Sequence, residues 1–410
     1  MNMKPSRKTH WANQLVLLTG LLFCMVSVQA QAPAPASLRA EVHKPLAAAQ
    51  EALKNNQPDQ ALGLTREALA VAQLTPAERV VVLRTQAVVA LRAKNWDVAI
   101  EALEYLVTSP EVSVADRLPM LESLMNAGQQ KKDNALVVKW ARQYLKDGGP
   151  KPVIRVVMIQ TLSVMGEHKQ VVDEMQEKMR LDAAAGTKTP EQELRMLAVS
   201  QRQLKDNVGY QATLRRLLEA YPSKAYWAEV IQRLAQQANL NPRLELDLYR
   251  LLEYTDNLEE AGEYTDMAQQ ALKAGLPSEA LRVVAKGFEV GVLGQGADAA
   301  AHAKLRADAQ KKAQEDDRAF GQFEKAAKDG ASWAGVADVH ASKQNWAAAN
   351  AAYAKALELG NLRREHEVRL HHAIGLIQAG QKEAARQQLS AVQGDALAVE
   401  LASLWGLLVR

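Results

Sequence analysis

From about residue 38 onward, apolar residues recur three and four positions apart in short stretches, and each stretch ends at Gly, Asn or Pro before the pattern restarts. That period is helical, and the breaks are helix ends. No run alternates for long with period two in β-branched residues, so no sheet is expected. Residues 333–360 show the pattern most sharply. Trp333, Val336, Ala337 and His340 fall on one face of a first helix, and Ala349, Tyr353 and Ala356 on one face of a second. Only small residues fit where two antiparallel helices approach closely, which accounts for Ala337 and Ala349, while the Tyr353 ring fills the space beside the crossing.

This spacing resembles the helix-turn-helix of a tetratricopeptide repeat. The same register recurs along the chain. A first hairpin over 38–74 places Ala49, Ala52, Ala61 and Ala68 at small-residue positions, with Pro58 at a helix start. A second has Ala87 and Ala90, a turn at Lys94-Asn95, then Ala99, Leu103 and Leu106. Between 111 and 190 the signature is degenerate, though helices are expected at 115–127, 131–146, 153–165 and 169–182. The breaks Gly148-Gly149-Pro150 and Gly186-Thr187-Lys188-Thr189-Pro190 read as turns, with a hinge between two lobes as the alternative.

Beyond 190 the register recovers. Helices at 191–204 and 210–221 pair, and Tyr226-Trp227 opens the next hairpin. Tyr264, Met267, Ala268, Ala271, the turn residue Gly275, Ala280, Val284 and Gly287 mark a clear repeat. A diverged pair is expected over 297–330. The last repeat carries Ala373, Leu376, Gly380, Ala385 and Leu389, and 396–409 reads as a closing helix that covers an otherwise exposed apolar end. The expected fold is therefore all-α: a right-handed tetratricopeptide-like solenoid of about ten hairpins over 38–410. Its clear repeats lie at 38–110 and 191–410, each packing mainly on its neighbours.

Residues 1–30 do not belong to that pattern. Lys4, Arg7 and Lys8 precede an apolar run from Leu15 to Val28 that ends in small residues at Ala30, the form of an export signal cleaved before Gln31. The run is too short for a spanning helix, so no stable membrane insertion is expected after cleavage. Residues 31–37 form an Ala/Pro lead-in. Cys24, the single cysteine, follows the bulky Phe23 inside the apolar run, which disfavours lipidation, and its removal leaves no thiol chemistry.

Loss of the leader also changes the charge. The chain has 50 basic and 47 acidic residues, and the leader holds three basic residues and no acidic ones, so the mature chain is neutral. Neither a basic stripe nor an aromatic platform marks a nucleic-acid binder.

Candidate chemistry is thin. His366 and His371 stand five apart, so they point about 140° apart on a helix and do not form a zinc-protease pair. The segment 364–372 reads instead as a solvated charged helix with one inward histidine. Gly291, Gly294 and Gly296 follow a helix and lack the Lys-Ser/Thr of a phosphate loop. No nucleophile elbow is present, adjacent carboxylates such as Glu259-Glu260 diverge, and no cofactor or metal is called for. The chain is thus expected to be non-enzymatic. The offset from the packing alanines gives the inward positions of a concave groove: Arg84, Arg92, Thr265, Gln269, Lys273, Asp338, Ser342, Glu367, Ile374 and Gln378. These would contact a protein or peptide partner.

The stretch 226–294, with its strings LELDLYRLLEYTDN and EYTDMAQQALKAGLPSEALRVVAKGFEVGVLG, resembles exported tetratricopeptide-repeat proteins of Gram-negative bacteria, some encoded beside TonB-ExbB-ExbD. The resemblance implies a periplasmic scaffold that holds an envelope partner. Repeats that grip a C-terminal carboxylate place Lys and Asn where this chain has Ala334, Asp338, Leu370 and Ile374, so that clamp is missing. The alternative is a ligand-binding or regulatory subunit of a polysaccharide or peptidoglycan enzyme. An aromatic row would favour a sugar ligand, and the inward positions contain none.

Overall fold

The computed structural model describes residues 38–236 and 243–409. The leader, its cleavage position, Cys24 and the Ala/Pro lead-in lie outside them. Every regular element among the described residues is helical, and two compact units divide between Lys151 and Pro152. That boundary follows directly on Gly148-Gly149-Pro150, where the sequence left a turn and a hinge open.

The first unit contains α1 (Ala40–Lys54), α2 (Pro58–Leu69), α3 (Pro76–Arg92), α4 (Trp96–Thr108), α5 (Val114–Lys131) and α6 (Asn134–Lys146). The second begins with α7 (Pro152–Val164), α8 (His168–Ala184), α9 (Glu191–Gln203), α10 (Asn207–Ala220), α11 (Lys224–Ala235), α12 (Glu245–Tyr254), α13 (Ala261–Lys273) and α14 (Pro277–Glu289). It continues through α15 (Ala299–Ala326), α16 (Gly330–Ser342), α17 (Trp346–Leu359), α18 (Glu365–Gln378), α19 (Lys382–Ser390) and α20 (Ala396–Leu407).

One turn geometry recurs. At Asn56, Lys94, Lys132, Gly166, Lys205, Gly275, Gln344 and Gly380 the backbone enters the left-handed region, with φ between 54° and 77°. In each case the next N–H donates to a carbonyl five residues back, at 2.8–3.0 Å, with acceptors such as Ala52, Ala90, Gly128, Leu162 and Gln201. This is the Schellman closure, which satisfies carbonyls that a helix end would otherwise orphan. At Asn95, Asp133, Asp206 and Asn345 the following side chain then caps the second helix by accepting a backbone N–H. Among the described residues this repeated turn closes eight tetratricopeptide-like helical hairpins: α1/α2, α3/α4, α5/α6, α7/α8, α9/α10, α13/α14, α16/α17 and α18/α19.

Packing follows the small residues. Ala61, Ala99, Ala268, Ala280, Ala337, Ala349, Ala356 and Ala385 are fully buried, and Tyr264 and Tyr353 nearly so. Trp333 is half-buried against the same cluster, with the Lys355 ammonium 3.7 Å from its ring centroid. At Gly287 a methyl group would lie 2.6 Å from Leu293 and 3.1 Å from Tyr264, so glycine is required by close approach. Ala349→Leu should cost about 1–3 kcal/mol through overpacking against Ala337 and Tyr353, read as a lower denaturation midpoint. An unchanged midpoint would contradict this register.

Two expectations are corrected. The pair expected over 297–330 is one 28-residue helix, α15. It is rich in Ala, Lys, Gln and Glu and contains no Pro and only Gly321, so nothing in it breaks the helix. Nor is packing confined to neighbours in the second unit. Leu218, Trp227, Ile231, Leu248 and Leu251 share one core with Leu370, Ile377, Leu401 and Trp405, so α10–α12 meet α18–α20. Arg215 of α10 reaches Glu400 of α20 at 3.0 Å and also bonds Ser403. The closing helix does more than cap the last hairpin: it joins it to helices far back in the chain.

Candidate functional site

The closure of the second unit gathers five charged side chains and a tyrosine in its interior. α12 supplies Asp247 and Arg250 one turn apart; α14 supplies Glu279, α16 Asp338, α17 Tyr353 and α18 His371. Arg250 donates two hydrogen bonds to Glu279, at 2.9 and 2.7 Å, and one to Asp247 at 2.8 Å. This bidentate geometry matches the planar guanidinium to a carboxylate. His371 donates from Nδ1 to Asp338 at 2.9 Å and from Nε2 to Asp247 at 3.2 Å, and the Tyr353 hydroxyl donates to Asp338 at 2.6 Å.

Burial alone would discharge these groups. It pushes His371 down, but the carboxylates of Asp247 and Asp338 outweigh it and raise its pKa to about 10. Burial pushes Asp247 up, and His371 and Arg250 bring it down to about 2. Burial, then Asp338, drives Tyr353 well above the usual phenol range. His371 is therefore an imidazolium at neutral pH, with both nitrogens committed to carboxylates. The arrangement is an ion-pair network in which each cation is held between carboxylates. Its neighbour His372 has the opposite fate. Burial, assisted by Arg369, holds it down to about 4, and its ring lies 5.8 Å from that of Tyr353.

Two cavities border the network and share Arg250 and His371. The larger, about 720 Å³, runs between α12, α13, α16 and α18. Its floor carries Asp247 and Asp338, and basic side chains from Arg243, Lys273, Arg363 and Arg364 line it as well. The smaller, about 310 Å³, is lined by Tyr254, Trp346, Tyr353 and Trp405 together with charged and amide side chains.

The expected groove residues scatter accordingly. Lys273, Asp338 and Glu367 line the larger cavity, and Ile374 and Gln378 the smaller. Thr265 and Gln269 border neither. Arg84 and Arg92 belong to the first unit, where Arg84 pairs with Asp116 at 3.1 Å. Ser342 is buried, its hydroxyl donating to the Val339 carbonyl at 2.8 Å, and does not face an open groove. Ile374 is 7% exposed and belongs mainly to the core. The helix at 364–372 is not a solvated one: His366, Glu367 and His371 are largely covered and His372 is buried. Aromatic side chains, absent from the inward positions read from the sequence, do line a cavity.

Sequence reasoning missed Asp247, Arg250 and Glu279. The available signal was local: Asp247 interrupts Leu246, Leu248 and Leu251, and Glu279 stands beside Ala280 on an apolar face. A charge within an apolar stripe must be paired when the stripe is buried. α12 also lines the larger cavity, although none of the inward positions read from the sequence lies on it.

No family model and no curated protein matches the sequence. Among solved structures, yeast Tom70 is 13% identical and aligns over 89% of this chain and 95% of its own, with a TM-score of 0.26. The TPR2AB domain of yeast Sti1 in its complex with pHSP90 is 14% identical over 66% of this chain and 98% of its own, with a TM-score of 0.30. A TPR repeat-containing protein from Cytophaga hutchinsonii is 15% identical over 64% and 93%, with a TM-score of 0.28. These superpositions are loose, and the repeat assignment rests on the turns and packing described above. No helix among the described residues is long and apolar enough to cross a membrane.

Proposed function

We propose that the chain is a non-enzymatic scaffold of the periplasm that holds a segment of a protein partner in the larger cavity of its second unit. One observation carries this reading: Lys273 of α13, Asp338 of α16 and Glu367 of α18, inward positions on the first helices of three different hairpins, line a single cleft. Successive first helices presenting side chains to one concavity is the way helical repeats take extended ligands. Export is supported by the leader at 1–30. An association with envelope energy transduction of the TonB-ExbB-ExbD type is supported by the resemblance over 226–294.

The test is photo-crosslinking in cells from Lys273 and Arg363, with Val164 as the outward control, which is 78% exposed. Adducts specific to the two cleft positions, in the periplasmic fraction and on a chain beginning at Gln31, are expected. Equal background from all three positions would sink the cleft as the binding surface, and a cytoplasmic chain retaining its leader would sink the location.

A further inference from the structure

The smaller cavity has a chemistry of its own, beyond the scaffold reading. We propose that it binds a saccharide carrying a carboxylate.

Size comes first. At about 310 Å³ the cavity sits at the lower bound of ligand sites, roughly 300–1,000 Å³, so it suits a ring-sized ligand better than a folded segment. Its wall is aromatic. Tyr254, at the end of α12, is 39% exposed, and Trp346 opens α17 half-buried. Behind them Trp405 is fully buried, 4.9 Å from Tyr254 by ring centroids, and its indole N–H has no partner. Aromatic faces accept the C–H-rich face of a pyranose, while the polar edge of the same ring needs hydrogen bonds around it.

The rim supplies them. Gln344 and Gln378 are exposed and offer amide donors and acceptors. Lys286 lies 3.9 Å from Glu253, beyond hydrogen-bond distance, whereas Arg282 is bonded to that carboxylate. The Lys286 ammonium thus keeps donors for a ligand. An apolar or aromatic peptide side chain would strip water from these groups and return no hydrogen bonds. Charge selects further: Arg250 and His371 are bonded to Glu279, Asp247 and Asp338, and Arg282 to Glu253, so the lining cation left to meet a ligand is Lys286, which favours a sugar carrying a carboxylate.

The experiment is calorimetry and tryptophan fluorescence on the full mature chain with three carboxylated saccharides: a galacturonate trimer, a glucuronate disaccharide and N-acetylmuramic acid. The neutral galactose trimer and the tripeptide Phe-Gly-Glu serve as comparisons. At least one acidic saccharide should bind, with the neutral trimer at least fivefold weaker. Trp346→Ala should weaken binding tenfold or more. Lys286→Gln, a partly exposed position with little bearing on folding, should remove the preference for the acid over the neutral sugar. Failure of all three acidic saccharides to bind would overturn the proposal, as would binding unaffected by both substitutions. Tighter binding of Phe-Gly-Glu would replace it with a peptide site.

Discussion

Asp247→Asn should destabilise the second unit by about 3–5 kcal/mol, although it changes one atom and no volume. Asp247 is 1% exposed and stands between two cations, accepting from Arg250 at 2.8 Å and from His371 at 3.2 Å. Removing its charge leaves Arg250 with Glu279 alone and His371 with Asp338 alone. Breaking a buried pair from one side costs about 3–5 kcal/mol because the remaining charge stays desolvated. Denaturant unfolding of variant and wild type measures it. A loss below about 1 kcal/mol would mean that the network is solvated and not structural.

The same network sets the pH dependence. His371 has a folded pKa of about 10, above its unfolded 6.5, so its contribution is fully present below about 6.5 and is lost as pH rises through about 10. Asp247 behaves oppositely. Its folded pKa of about 2 lies below 3.8, so its contribution is present above 3.8 and lost as pH falls through about 2. The alkaline loss should start near pH 6.5 in both proteins but be complete at lower pH in Asp247→Asn, since His371 then keeps one carboxylate in place of two. A stability profile flat between pH 7 and 10 in the wild type would show that His371 is neutral in the folded protein.

Trp405→Ala should cost a further several kcal/mol by a different route. Trp405 is fully buried, packed in the core that joins α10–α12 to α18–α20 and against the Tyr254 ring. Truncating a buried Trp to Ala typically costs about 3–5 kcal/mol, from lost burial and the cavity left behind. The location of the effect matters more than its size. In an array held together only by neighbours, loss of protection would stay in α18–α20. With the ring of contacts closed, amides of α10–α12 should exchange faster as well, although they lie far away in sequence. Hydrogen exchange that changes only in α18–α20 would show that the closure contributes nothing to stability.

How far the sequence reached depends on the range of the interactions involved. The helices, their hairpin pairing and most of their ends were legible because their causes are local. The three-and-four spacing of Trp333, Val336, Ala337 and His340 and the turns at Lys94-Asn95 and Gly275 all act within one or two turns of chain. α15 was misread because a diverged repeat was assumed where the residues contained no breaker. The inward positions were partly legible. Lys273, Asp338 and Glu367 reach the cleft because their offset from the packing alanines fixes the helix face, while Ser342 and Ile374 fell under neighbouring elements.

Only the tertiary structure decided the rest. Asp247 and His371 are 124 residues apart, and Arg250 and Glu279 are 29 apart. Taken singly, each is an ordinary charged residue on a helix, and no period or spacing links them. They become one network because the last helices return to α10–α12, and that return is driven by apolar surface on Leu218, Trp227, Leu370, Leu401 and Trp405. Apolar burial is non-directional: it says that a face must be covered, not by which helix. The sequence therefore determined the repeating unit and its turns. The choice of partner for each exposed apolar face, and with it the buried charges and both cavities, was made by the folded chain.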